Sequence, residues 1–472
     1  MLLNLEIMVL KRGRFSNRLG FVAAAAGSAV GLGNIWKFPY EAGENGGAAF
    51  LFIYLICTFA IGFPVMISEI ALGRKAQTDA YGAYNKLGNR RWGLIGAFGI
   101  LCGIMILSFY NVVAGWAFGY FVQIVFGDLL AVGLDDYSAH FGDYVADFWN
   151  NLIFSFAFMI LTGLIVVRGI KDGIETASKF FMPLLFLILL GLIIYALTLN
   201  NAMEGIKFYL LPDFSAINIK TIYSALGQAF FSLSLGMGAL ITYGSYIKKK
   251  ENIVKSAAVV TLADVSVAFL AGLLIFPLVF SQGQQPSEGP GLVFVALPKI
   301  FHEMGPFMGR FVGGGFFLLL CFAALTSTIS LLEVPVAYLV DEKKMPRKRV
   351  VFGLVLFIFI IGLPSMLSQG AVPFFTNFMH YEGGNKTFLD VISDMFSEVG
   401  LPLGGFLLTI FIGFKWKTKN LSLEISKGNP DYAGSFLEKF VNFVITTVCP
   451  FLLGLIFIVT VLQKFLNVQI FG

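Results

Sequence analysis

Two short stretches and a few oxygen-bearing side chains carry the chemistry of this chain. Gly27-Ser28-Ala29-Val30-Gly31-Leu32-Gly33-Asn34 and Ser232-Leu233-Ser234-Leu235-Gly236-Met237-Gly238 each fall inside a long apolar run. Glycines inside a helix cost roughly 1 kcal/mol each, and Ser or Asn beside them can satisfy the backbone groups that a break sets free. In a water-free surrounding, freed N–H groups at a half-helix N-terminus suit a carboxylate, and freed C=O groups suit cations. Asp264, in Thr261-Leu262-Ala263-Asp264, also falls mid-run. A charge at the centre of a bilayer costs roughly 2.5–3.5 kcal/mol, so it must be compensated locally. Glu69 and Glu333 are two further mid-run acids, and Thr326-Ser327 adds adjacent hydroxyls that can bind a cation or their own helix backbone. This is binding chemistry. No His/Cys/Asp constellation or nucleotide motif is present, so no catalytic residue and no enzyme is expected. Cys57, Cys102, Cys321 and Cys449 sit in apolar runs without metal-ligand spacing and read as reduced packing residues.

The elements that must hold these groups are membrane spans. The composition is 57% hydrophobic and only 13% charged, roughly half the charge of a soluble domain. Runs long enough for a bilayer fall near 18–40, 46–72, 93–126, 148–168, 178–199, 222–247, 254–281, 311–340, 349–368, 388–414 and 440–466, giving eleven spans. Most Lys and Arg lie before span 1 or after spans 2, 4, 6, 8 and 10, as in Arg90-Arg91 and Lys248-Lys249-Lys250. The other gaps collect acids such as Asp135, Asp136 and Asp143, and all three histidines, His140, His302 and His380. The positive-inside rule puts the N-terminus in the cytoplasm, and the odd count puts the C-terminus outside. The gap 281–310 reads as a structured outer loop. Spans 1 and 6 are interrupted alike and stand five spans apart, the pattern of a transporter built from inverted repeats with its site at the breaks.

The residues themselves resemble a known family. Arg18-Leu19-Gly20, Gly31-Leu32-Gly33-Asn34-Ile35-Trp36-Lys37-Phe38-Pro39, Glu44-Asn45-Gly46-Gly47, Glu69 with Gly73-Arg74, Phe230-Phe231-Ser232-Leu233-Ser234 and Thr326-Ser327-Thr328 are similar, in order and spacing, to neurotransmitter:sodium symporters. The likeness is greatest to the bacterial eleven-span members that carry amino acids. It implies an all-α, inverted-repeat 5+5 bundle with broken helices 1 and 6 and an eleventh helix. One transporter domain, 1–472, would comprise repeats at about 12–199 and 221–415 with helix eleven at about 440–466. By resemblance, the Leu32 and Gly33 amides and the Tyr110 hydroxyl hold a substrate carboxylate. The Ala29, Phe231 and Ser232 carbonyls with the Ser234 hydroxyl hold its ammonium, and Ile106, Phe230, Met237, Ser327 and Leu331 surround its side chain. Two sodium ions are implied, one at Ala29, Asn34, Ser232 and Asp264, the other at Gly27, Val30, Ala323, Thr326 and Ser327. Amine-carrying relatives place Asp where this chain has Gly31, and chloride-dependent ones place Asn where it has Asp264. An amino-acid substrate and no chloride requirement follow. The leucine-carrying branch has its compensating acid one turn later, at Ala268, and a Phe at Met237.

The resemblance also implies gates. Lys37 stands where most relatives have Arg, with Asp390 or Asp394 as its outer partner. Arg12 and Asp341 form the inner pair, joined by Glu333, while Glu69 caps the break of span 6. Phe15 replaces a Trp. Gly173 and Pro183 bracket nine residues of an element that unwinds to wet the second sodium site. The expected activity is sodium-coupled import of a hydrophobic or aromatic amino acid across the bacterial inner membrane. A proton-coupled transporter of the same fold and a non-transporting membrane sensor are the alternatives. The partners are the amino acid and the lipid bilayer, with no nucleic acid; oligomeric state stays open.

Overall fold

With no water to satisfy backbone groups in hydrocarbon, the apolar runs have to wind into helices, and they do. A computed structural model describes residues 13–127, 129–281, 283, 291–381 and 384–466. Among these residues nine helices can cross a bilayer without a break. They are span 2 (Ala48–Ala76), span 3 (Gly93–Phe126), span 4 (Phe148–Val167), span 5 (Ile170–Ala196), span 7 (Ile253–Ser281), span 8 (Gly305–Asp341), span 9 (Arg347–Leu367), span 10 (Phe388–Trp416) and span 11 (Phe436–Phe465). Two more are broken. Span 1 joins Arg18–Ala29 to Gly33–Glu44 with a bend of 49°. Span 6 joins Ile219–Ser232 to Ala239–Gly244. The first is started by Asn17, whose side chain caps the Gly20 amide, the second by an Asn218–Thr221 capping box.

The breaks are conformational as well as compositional. Val30 turns to extended backbone directly after Ala29. In span 6, Ser234, Gly236 and Gly238 all take left-handed backbone, with φ of 55°, 83° and 77°. At Gly236 nothing larger than hydrogen fits, since a Cβ would lie 2.3 Å from the Leu401 carbonyl oxygen of span 10. Span 2 secures the break from the other side, where Glu69 Oε1 accepts the Gly236 N–H at 2.8 Å.

Burial sorts the spans by role. In span 8 the most apolar window is 83% buried, against 33% in spans 5 and 11, so span 8 is central and the other two face lipid. Single π turns, a common accompaniment of functional sites, interrupt spans 1, 2, 5, 10 and 11, including Gly33–Lys37, Ile170–Glu175 and Asp394–Val399. Gly173 lies within the span 5 turn and Pro183 within the helix that follows. The segment after span 7 carries the short helix Leu297–Glu303, and its Phe294 stacks on Phe141 at 5.3 Å. The segment before span 10 forms a two-stranded hairpin, Met379–Tyr381 with Gly384–Lys386, which the sequence reading did not foresee. On the opposite side the helix Thr418–Ser426 is tied to span 2, its Glu424 paired with a fully buried Arg74 at 2.9 Å.

Candidate functional site

The two breaks meet at a small cavity between spans 1, 3, 6 and 8. It is lined by Ala29, Gly33, Ile106, Tyr110, Phe231, Ser232, Ser234, Met237, Ser327 and Leu331, together with Ser28, Gly31 and Ser330. Every side chain among them is neutral. Two expected residues stand apart. Leu32 contributes its amide, which donates to the Tyr110 hydroxyl at 2.9 Å. Phe230 does not line the cavity: its ring packs against span 10, where a Cβ on Gly405 would come within 2.4 Å of it. The reason is helical geometry, since neighbouring residues point about 100° apart, and Phe231 takes the cavity side. Gly33 makes room for that ring, as a Cβ there would lie 2.8 Å from it. Gly31 is crowded in turn: a Cβ would fall 2.4 Å from Ser327 Oγ and 2.8 Å from the Tyr110 hydroxyl. An Asp at this position would therefore displace the Ser327 and Tyr110 hydroxyls.

Hydroxyls and carbonyls from the two breaks interlock. Ser234 Oγ donates to the Ser28 carbonyl at 2.8 Å, and Ser28 Oγ to Ser330 Oγ at 2.8 Å. The Phe231 carbonyl accepts the Ser234 amide at 3.1 Å and keeps a second lone pair. Gln228 of span 6 donates to the Gly33 carbonyl at 2.8 Å and so joins the two broken spans.

Asp264 is wholly buried and receives three donors. Asn34 Nδ2 and Ser232 Oγ each lie 2.7 Å from Oδ1, and the Tyr54 hydroxyl lies 3.1 Å from Oδ2. Asn34 Oδ1 meanwhile accepts the Gly31 amide at 3.0 Å. This cluster brings together Asn34, Ser232 and Asp264, with Ala29 on the nearby cavity wall; Asn34 turns its amide nitrogen to the other two, and a hard cation would find carboxylate and hydroxyl oxygens there. Across the span 1 break, Thr326 Oγ1 lies 3.3 Å from the Val30 carbonyl and 3.0 Å from that of Ala323. Gly27 faces the Thr326 side chain, and Ser327 Oγ lies 3.4 Å from the Ser28 carbonyl. Thr326 thus bonds its own helix and also faces span 1. Tyr54, Ser28, Ser330 and Gln228 escaped the sequence reading. Tyr54 had a signal, as the single phenol in span 2; the serines had only their proximity to a break.

The charged residues expected at the gates are placed in part otherwise. Lys37 pairs with Glu398, at 3.6 Å, instead of Asp390 or Asp394, and also lies 5.2 Å over the Phe231 ring. Asp390 is consumed as a helix cap, its Oδ2 accepting the Thr387 amide at 3.0 Å. Asp394 is bound by Lys464 at 2.9 Å and by the Tyr381 hydroxyl at 2.7 Å. Of the second expected pair, Arg12 lies outside the described residues, and Asp341 Oδ2 accepts the Asp79 amide at 3.1 Å. Glu333 joins Arg347 of span 9, at 3.1 Å from Nη1, and the Tyr246 hydroxyl at 2.7 Å; fully buried, it takes the guanidinium that can enter from the adjoining helix end. Phe15 is buried among Phe21, Tyr243 and Tyr246.

Comparison with known proteins agrees with this geometry. The family description "Sodium:neurotransmitter symporter family" matches residues 12–131 and 148–468. The chain is 43% identical over 419 residues to the uncharacterised sodium-dependent transporter YhdH of Bacillus subtilis, covering 88% of this chain and 91% of that protein. It is 28% identical over 434 residues to the human sodium- and chloride-dependent GABA transporter 2, covering 81% of this chain and 71% of that one. The crystal structure of MhsT in complex with L-phenylalanine superposes with a TM-score of 0.87 at 42% identity, covering 95% of this chain and all of that one. The fold is the inverted-repeat five-plus-five bundle with broken helices 1 and 6 and an eleventh helix. The chain is a multi-pass membrane protein and belongs to the sodium:neurotransmitter symporter family.

Proposed function

We propose that this sodium-dependent symporter imports a hydrophobic or aromatic amino acid together with two sodium ions, by alternating access and without chloride. The observation that carries the reading is the cavity itself: backbone and hydroxyl groups of two helix breaks at one end, and only neutral side chains elsewhere. A charged side chain would be stranded there without a partner. The substrate carboxylate would meet the Tyr110 hydroxyl and the Leu32 and Gly33 amides; its ammonium would meet the Ala29, Phe231 and Ser232 carbonyls and the Ser234 hydroxyl. Met237 is unbranched and flexible, with a positive-φ glycine on each side, which supports room for an indole, a phenyl ring or a phenol. MhsT, similar over nearly the whole chain, was crystallised with L-phenylalanine.

Asn34, Ser232, Asp264 and the Ala29 carbonyl are the first sodium site in this reading. Gly27, Val30, Ala323, Thr326 and Ser327 are the second. Asp264 supplies the fixed negative charge that chloride brings to other members. The transporter sits in the bacterial inner membrane with the N-terminus inside and the C-terminus outside. The repeats 12–199 and 221–415 form one domain and rock against each other. Lys37 with Glu398 closes the outer side, and the Arg347–Glu333–Tyr246 cluster lies towards the inner side. Uptake of labelled L-phenylalanine into proteoliposomes tests the whole reading. An inward sodium gradient should drive accumulation, a proton gradient alone should not, and excess tryptophan should compete where lysine or glutamate does not. Accumulation driven by protons in the absence of sodium would overturn it.

A further inference from the structure

Glu398 is held by two cations arriving from different spans. Lys37 Nζ of span 1 lies 3.6 Å from Oε1, whereas Lys464 Nζ, near the end of span 11, lies 2.6 Å from Oε2 and 2.9 Å from Asp394 Oδ1. The Lys464 contacts have hydrogen-bond length and the Lys37 contact does not. Asp394 and Glu398 share the π turn Asp394–Val399, four residues apart, so one ammonium can span both. The end of span 11 is fixed over this turn by a second contact. Tyr381 of the hairpin donates to Asp394 and places its ring 5.3 Å from Phe465, the residue after Lys464.

We propose that Lys464 is the standing counter-ion of the outer gate, keeping Glu398 paired while Lys37 lets go. The inference rests on the reading of Lys37–Glu398 as that gate. When a shielded ion pair separates, the main penalty is the charge left without a partner. Lys464 comes from a peripheral span and remains bound when span 1 moves, so opening strands no carboxylate. It also occupies Asp394, which keeps Lys37 directed at Glu398 alone. Span 11, outside the two repeats, thereby sets how readily the transporter opens outwards.

The test is dissociation of labelled L-phenylalanine from the purified full chain in saturating sodium, alongside KM and turnover of uptake. Lys37→Gln should speed dissociation; if it does not, the gate reading fails independently of this inference. Lys464→Gln should slow dissociation about two- to fivefold, the scale of one such pair, with KM and turnover falling together. Lys464→Arg should restore the rate, and in a background in which Glu398→Gln and Asp394→Asn are combined Lys464→Gln should have no further effect. Asp394→Asn, which leaves Lys464 wholly to Glu398, should speed dissociation and needs no change at Lys464 should that variant fold poorly. Faster or unchanged dissociation in Lys464→Gln, or slower dissociation in Asp394→Asn, would overturn the proposal.

Discussion

Thr326 Oγ1 faces the Val30 carbonyl across the break of span 1 while also bonding its own helix, so Thr326→Ala removes one oxygen from the proposed second sodium site without removing a helix contact the fold depends on. One lost ligand of this kind is worth about 1–1.5 kcal/mol, so apparent sodium affinity should fall about five- to tenfold; an unchanged sodium dependence in a well-folded variant would displace the site. Asp264 is a sharper case. Three donors converge on its carboxylate, and Asp264→Asn would leave them facing a neutral group that brings donors of its own, a setting that invites an anion. The wild type should take up substrate equally in chloride and gluconate, and Asp264→Asn should lose transport or come to need chloride. Full activity in gluconate would refute the charge argument. Met237→Phe fills the cavity between two glycines, so tryptophan should lose more affinity than leucine in a competition assay. At this scale the sequence was legible wherever a residue type is costly in its place, as with Asp264 and Glu69. It was opaque at Tyr54 and Ser330, whose types are ordinary in a span and whose role comes only from what the fold sets beside them.

Elements were legible for a related reason. A run such as 93–126 has no alternative to a helix in lipid, and the structure winds Gly93–Phe126. The breaks could be read because glycines mid-span have a cost that something must justify. The acid facing Lys37 could not. Asp390, Asp394 and Glu398 all lie in the opening turns of span 10, and a helix cap followed by a π turn decides which one faces Lys37. Similarly, the partner of Glu333 is not legible: span 9 begins with Arg347-Lys348-Arg349, and sequence gives no way to tell which of them enters the bundle. The span 6 break itself predicts a strong effect. Gly236→Ala adds a methyl group against the Leu401 carbonyl at a φ of 83°. It should destabilise the purified protein by about 2 kcal/mol or more, read as a lowered thermal midpoint, with transport lost. Gly142, with nothing within 4 Å of its added Cβ, should tolerate the same change.

The whole molecule is organised by where its charges may go. Basic segments gather on one side of the bundle, and the proposed orientation puts that side in the cytoplasm. In intact cells a membrane-impermeant maleimide should label Asp136→Cys and spare Lys249→Cys; the reverse pattern would invert the transporter. The tie between Arg74 and Glu424 has a consequence in time. The two residues are separated by 350 positions in the chain, and Arg74 is fully buried once paired. A ribosome adding about 5–20 residues per second needs roughly 20–70 s to cover that interval. Throughout it, span 2 has been delivered to the membrane with a guanidinium whose carboxylate does not yet exist. The Arg74 end of span 2 must therefore stay hydrated during synthesis and seal late, which makes the helix Thr418–Ser426 a closing step of assembly rather than a passive linker between spans 10 and 11.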